Sequence, residues 1–344
     1  MLKAHQKTVI TGDDQVKELN DKIQELRKER IKLQTANVER NRIDRSEARQ
    51  EMYYEYVGLI ATTLPLPDFS PLYIQECNDH YMEYLCCIAD LHYGATFVSE
   101  SNEYSPEIAK SRLEELADSL YGFINTHKIS KLHIACLGDT IQGCLRLSDL
   151  KINDSSVVKS TVEVSRLIAS FLNSLSKYVE IEYYHVPSAN HTQLRPLGSK
   201  ASELADEDME YVIGNYIKDL CANNKRIHVH LAEYEKQFID IDINGFRIGA
   251  MHGHQLKNPE AALKDFSVHR DWIYDYLIIG HFHGGKELTV SERSLNDVEV
   301  LVCPSFIGSD PYSDKLMRGS KAAVKVFGFD EYYGHTETYK IILN

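Results

Sequence analysis

Long apolar runs are missing from this sequence. No stretch of about 18 apolar residues occurs in the 344, which excludes a membrane-spanning helix. The opening residues, MLKAHQKTVITGDD, lack the apolar core of a signal peptide. Seven cysteines (77, 86, 87, 136, 144, 221 and 303) form no Cys-x-x-Cys pair. A thiolate metal site is therefore not indicated. Cys86, Cys87 and Cys136 stand inside apolar runs, the habit of reduced buried thiols, and a cytoplasmic location is expected. A basic excess is missing too. The net charge of −13 argues against coating nucleic acid by bulk electrostatics, although an enzyme could still grip phosphates locally. Residues 13–51 carry ten basic and ten acidic side chains, and residues 1–12 add +2, so residues 52–344 carry −15. There is no internal repeat and no low-complexity tract. With 43% hydrophobic and 26% charged residues, the composition is that of a globular protein with room for one large domain and an appendage.

Glycine and proline are absent from residues 14–45, which read as one long charged helix. Val16, Leu19, Ile23, Leu26 and Leu33 alternate at three- and four-residue spacing, with Arg30, Asn37 and Arg40 at the next seam positions. This is a coiled-coil pattern of about three heptads that weakens toward its end. It implies a homo-oligomer or docking onto a partner helix, with a lone charged helix as the alternative. Residues 1–51 form this helical segment. Residues 52–83, with Pro65, Pro67 and Pro71, are the expected linker into a domain over 84–344.

From Tyr84 onward strands and helices alternate. Apolar strand patterns lie at 84–90, 131–139, 180–186 and 276–280, and 236–253 reads as a hairpin around Asn244-Gly245. Helical stretches fall near 105–127, 148–178, 201–222 and 259–271, and residues 286–343 look largely β. This order predicts an α/β protein, with a two-sheet sandwich flanked by helices and strand ends gathered along one edge.

What stands after each strand is the informative part. Asp90 and His92 follow the first, Asp139 the second, and Asn190 and His191 the third; His252 and His254 follow the hairpin, and His281 and His283 the last. A lone Asp there is usually a turn former, and His133 or His185 inside a strand is more often a satisfied side chain than a ligand. Five strand ends in succession delivering Asp, Asn or His is not a packing pattern. Carboxylates, a carboxamide and neutral imidazoles suit manganese, iron or zinc. Seven donors are too many for one tetrahedral ion. They suit two ions about 3.5–4 Å apart, sharing a carboxylate and a hydroxide. Alternation along an extended chain would let each Asp-x-His or His-x-His pair aim at one cluster.

In this order, ADLHYG, LGDTIQG, SANH, MHGH and IGHFH resemble the signature segments of the calcineurin-like metallophosphoesterase superfamily, over residues 84–284. The resemblance implies a dinuclear-metal-dependent phosphoric ester hydrolase. Asp90, His92 and His283 would hold one divalent ion; Asn190, His252 and His281 would hold the other, with Asp139 bridging. Manganese is expected, with iron, zinc or magnesium as alternatives. His191 would be the catalytic residue, stabilising the transition state and protonating the leaving oxygen. His252 matches the ligand position, which leaves His254 behind the ligands or facing substrate.

The departures bear on substrate. Thr192 stands where the family carries an acidic residue, which removes one orienting partner of His191. GDTIQG lacks the Asp-Arg-Gly extension of the protein phosphatases, and with it their phosphate-clamping arginine. The Asp-x-His-x-Gly opening is similar to that of recombination-repair nucleases that partner a coiled-coil ATPase. The whole arrangement is similar to DNA repair exonuclease-like metallophosphoesterases of phage and prophage. Arg146, Arg195, Lys257 and Lys286 could hold a non-scissile phosphate or be ordinary surface charge. A phosphodiesterase, specifically a nuclease acting on DNA, is the leading expectation. A small-nucleotide phosphodiesterase or phosphatase, and a non-catalytic scaffold, are its rivals. Residues 145–178 or 193–222 could form a cap over the site.

Overall fold

The computed structural model describes residues 12–63, 82–143, 149–194, 207–232, 237–270, 272–315, 317 and 319–343. The chain divides into two units, residues 1–64 and 65–344. Among its described residues the first is a single helix, α1 (Gly12–Thr63), roughly 78 Å long at 1.5 Å per residue. It runs past the boundary expected at residue 51 and takes in the first part of the expected linker. MYYEYVGLIATT contains no proline, so nothing stops the helix before Pro65. Exposed pairs such as Lys22–Glu18 at 2.9 Å and Lys32–Glu29 at 2.7 Å line it. Each contributes only a few tenths of a kcal/mol. The seam residues Val16, Leu19, Leu26 and Leu33 are all exposed.

The second unit holds two sheets. The six-stranded sheet has β1 (Met82–Ile88) and β4 (Lys131–Cys136) at its centre, with β5 (Glu180–His185) and β6 (Ile227–Leu231) on one side and β12 (Ala323–Asp330) and β13 (Gly334–Ile342) on the other. β1, β4, β5 and β6 are parallel, and β12 and β13 return antiparallel. The five-stranded sheet runs β10 (Lys286–Glu292), β11 (Asp297–Val302), β9 (Tyr276–Ile279), β8 (Phe246–Met251), β7 (Phe238–Ile243). Its centre, β8, β9 and β11, is parallel. The β7–β8 hairpin turns at Asn244-Gly245, both left-handed, as the dipeptide predicts. A two-stranded ribbon, β2 (Phe97–Val98) and β3 (Glu103–Tyr104), completes the strands among the described residues. Neither the ribbon nor β6 is foreseen from the sequence, since two-residue strands leave no pattern and IHVHL reads as polar.

Buried side chains sort into three cores by alternation. Tyr84, Cys86 and Ile88 of β1 point toward α2 (Pro106–His127), α4 (Val157–Leu175) and α5 (Met209–Cys221), whose apolar faces complete that core. Leu85 and Cys87 point the other way, into a core shared with Ile248, Ile278 and Phe327 between the sheets. Leu277 and Ile279 of β9 pack against Leu263 and Phe266 of α6 (Pro259–Arg270). Both sheets are thus covered on both faces at their centres, which is why their strands read as continuous apolar runs. Local chemistry sets the helix ends. Ser105 and Ser156 cap α2 and α4, and Pro106 opens α2. The region expected to be helical over 148–178 is two helices, α3 (Asp149–Ile152) and α4, parted where Ser156 takes an extended backbone as the cap. A short α7 (Pro311–Lys315) interrupts the β-rich C-terminal region. α4 and α5 are layer helices packed on the six-stranded sheet, so neither of these two helices is a cap. Among the described residues, no helix is long and apolar enough to cross a membrane.

Candidate metal centre

Parallel pairing brings the candidate residues together. Ile88, Cys136 and His185 are in register at the ends of β1, β4 and β5, and Met251 pairs with Ile279 at the ends of β8 and β9. Main-chain bonds then carry the ladder past the strands. Asp90 N–H donates to the Gly138 carbonyl (3.1 Å), His92 N–H to that of Asp139 (2.8 Å), and Gly280 N–H to that of His252 (3.0 Å). The two sheets meet where His281 N–H donates to Asp90 Oδ2 at 3.2 Å.

Alternation is not what aims the side chains. Asp90, His92, Asp139, His281 and His283 all have left-handed backbone, with φ between 49° and 61°. Five of the eight such non-glycine residues described are therefore in this one cluster. Each costs on the order of 1–3 kcal/mol, and such strain concentrates where a site over-determines the chain. The paired histidines consequently turn to different groups. His283 joins Asp90 and His92, whereas His281 joins Asp139 and His252, with ligand atoms inside each trio within 4.8 Å of one another. His92, Asp139 and His191 form a third such trio, so Asp139 stands between the two halves. Asn190 Oδ1 lies 2.9 Å from His252 Nε2 and adds the carboxamide to the second group.

The donor set fits cations on its own chemistry. His252 Nδ1 donates to the Leu137 carbonyl at 2.9 Å, which turns Nε2 inward. Around that Nε2 lie Asp139 Oδ2 at 3.0 Å, Asn190 Oδ1 at 2.9 Å and His281 Nδ1 at 3.2 Å, three atoms with lone pairs to offer. In the first group, Asp90 Oδ1 and both ring nitrogens of His92 are buried without a hydrogen-bond partner. Buried polar atoms are ordinarily satisfied. Here the missing partners lie where the donors converge, as a cation site requires. Two of the imidazoles and the shared carboxyl favour the forms that bind cations. Burial, reinforced by His191, holds His92 well below the usual histidine range, and burial with His252 pushes His281 down to about 3. Burial would raise Asp139, but His252 and His191 outweigh it and hold that carboxyl well below its ordinary value. Burial also disfavours charge on His252, but Asp139 prevails and lifts it to about 9. Burial raises Asp90.

His191 is held by main chain. Its N–H donates to Asp139 Oδ1 at 2.8 Å, and its Nδ1 donates to the Gln142 carbonyl at 3.0 Å, leaving Nε2 toward the cluster. That carbonyl does the orienting that Thr192 cannot. Gly143 permits the approach, because a Cβ there would stand 1.7 Å from the His191 oxygen.

His254 is half-buried beside its neighbours, its ring centroid 5.6 Å from that of His252 and 6.4 Å from that of His281, and it belongs to none of the three trios. Arg146 and Arg195 lie outside the described residues, and Lys257 and Lys286 are exposed. His133 and His185 are satisfied by Glu83 and Tyr184, and by Glu210 and Tyr183, respectively. Asp208 and Glu210, both buried at the start of α5, bond the turns after β4 and β5. The string DEDME gives no sign of this, since it reads as an exposed helix start. Burial, with Glu210 alongside, pushes Asp208 up to about 7.

Comparison with known proteins adds the following. The YonJ coiled-coil domain matches residues 22–60. The SPbeta prophage-derived uncharacterized protein YonJ of Bacillus subtilis (strain 168) is 36% identical over 331 residues, which cover 95% of this chain and 80% of that one. Among solved structures, Vps29 of Entamoeba histolytica, complexed with zinc, overlaps 76% of this chain and 99% of its own at 15% identity and a TM-score of 0.30. The purple acid phosphatase PPD1 of yellow lupin overlaps 78% of this chain and 55% of its own at 10% identity and a TM-score of 0.36.

Proposed function

This chain belongs to the YonJ family, and we propose that it is a two-metal phosphoric ester hydrolase acting on phosphodiesters, with DNA as the substrate class. One observation carries the reading. Asp90 Oδ1 and both ring nitrogens of His92 are buried without a hydrogen-bond partner at the place where carboxylates and imidazoles from the ends of both sheets converge. Asp90, His92 and His283 would hold one ion; Asn190, His252 and His281 would hold the other, with Asp139 shared. Two divalent ions supply an activated water and offset the charge that builds on phosphoryl oxygens. The chain's own part is positioning and proton transfer. With Nδ1 bonded to Gln142, His191 presents a proton at Nε2 to the leaving oxygen. The diester preference is supported by the missing phosphatase-type arginine in GDTIQG and by the Asp-x-His-x-Gly opening. A prophage relative accords with a role in nucleic-acid processing.

The test uses protein stripped of metal and reloaded with manganese. It is assayed on a chromogenic phosphodiester, a phosphomonoester, and end-labelled single- and double-stranded DNA. DNA cleavage is expected, lost on chelation and in Asp139→Ala. His191→Ala should lower turnover by about 10²–10⁴ with the ions retained. Diester turnover with DNA left intact would instead identify a small-nucleotide enzyme. Bound metal without turnover of any substrate would make the chain a scaffold.

A further inference from the structure

Two carboxylates behind the cluster have no part in holding an ion, yet each is bonded to the residue next to a candidate ligand. Asp208 caps α5 by accepting from Glu210 N–H at 3.0 Å. Its Oδ2 accepts from Ser188 Oγ and from Ala189 N–H, both at 3.0 Å, and Ala189 directly precedes Asn190. Glu210 is fully buried. Its Oε1 accepts from Thr140 N–H at 2.8 Å, and its Oε2 from Thr140 Oγ1 at 2.8 Å and His185 Nε2 at 2.7 Å. Thr140 directly follows Asp139. The circuit closes through Asp139 Oδ1, which accepts from His191 N–H at 2.8 Å. The first turn of α5, the turn after β4 and the turn after β5 therefore form one ring of hydrogen bonds.

Burying a carboxylate is expensive unless its oxygens are fully bonded, and these two are. A carboxylate serving only to tie helix to sheet could take its donors from anywhere. These take the main-chain donors flanking Asp139 and Asn190. Asp139 and Gly138 hold left-handed conformations, φ 49° and 86°, that relax unless the surroundings hold them. Resting on the metal-centre reading above, we infer that Asp208 and Glu210 are positioning residues. They fix the separation of Asp139 from Asn190 and so set how tightly the ion held by Asn190, His252 and His281 is retained.

The experiment is manganese titration of the full-length metal-free protein, followed by calorimetry and by the electron paramagnetic resonance signal of a coupled manganese pair. Wild type is compared with Glu210→Gln and Asp208→Asn, and circular dichroism reports the fold. Losing such an outer partner typically weakens metal binding by about 10–100-fold. The expected result is therefore that both variants still take up a first ion in the group of Asp90, His92 and His283. They bind the second at least about tenfold more weakly and show the spectrum of isolated manganese. Should Glu210→Gln not fold, Asp208→Asn, which leaves the Glu210–His185 pair in place, carries the same test. Variants that melt earlier yet load a coupled pair like wild type would overturn the inference and leave the metal-centre reading standing. Wild type that takes up no manganese would overturn both.

Discussion

At the scale of single residues, two glycines of the same hand separate backbone strain from site geometry. Gly143 has φ 65°, and its absent Cβ would meet the His191 carbonyl oxygen at 1.7 Å. Gly245 has φ 80° with nothing within 4 Å of that position. An alanine at either must adopt the left-handed conformation, at about 1–2 kcal/mol. Only Gly143→Ala must also move His191. Gly245→Ala should lower the thermal midpoint by a few degrees and leave turnover intact. Gly143→Ala should lower both, turnover by at least about tenfold. Equal turnover in the two variants would mean that the Gln142 carbonyl does not orient His191. The donor residues themselves were legible in the sequence because each follows a recognisable strand. Their left-handed backbone was not, since Asp and His carry no mark of it. Asp208 and Glu210 were invisible for a related reason. Whether a first-turn acid faces water or a neighbouring loop is decided by tertiary packing, here by where the turns after β4 and β5 fall.

At the scale of elements, β5 and α5 are joined through one imidazole. His185 lies between Tyr183, 2.8 Å from Nδ1, and Glu210, 2.7 Å from Nε2. Burial lowers its pKa, but Cys136 and Glu210 outweigh that and raise it to about 10. The folded value lies above the ordinary 6.5. The stabilisation from the charged ring is therefore complete below about pH 6.5 and is lost as pH rises through about 10. The thermal midpoint should fall across that window in wild type and fall less in His185→Gln. Parallel profiles would remove His185 as the cause. Most elements could be read from the sequence because continuous apolar runs and the Asn244-Gly245 turn are local features. The end of α1 lies past the expected residue 51 because aromatic residues and Gly58 lower helix propensity without ending a helix, as a proline would.

At the scale of the whole molecule, α1 presents an apolar seam with Leu26 70% exposed and Leu19 60% exposed. Arg30 and Asn37 at seam positions would weaken such pairing and fix its register. The chain is expected to sediment as an oligomer at micromolar concentration, and Leu19→Asp with Leu26→Asp to sediment as a monomer while loading metal normally. A monomeric wild type would leave the seam to a different helical partner.

The order of strands has a consequence in time. β1 lies between β4 and β12, and the donor set begins at Asp90 and ends at His283. A ribosome adding about 5–20 residues per second takes roughly 10 to 40 seconds between those two positions. Throughout that interval the nascent chain offers Asp90 and His92 without His283, which completes their trio. Its first strand also lacks the neighbour that β12 supplies. A translation product cut short before Gly280 therefore lacks His281 and His283, and the cluster is complete only once β9 and the turn after it are in place.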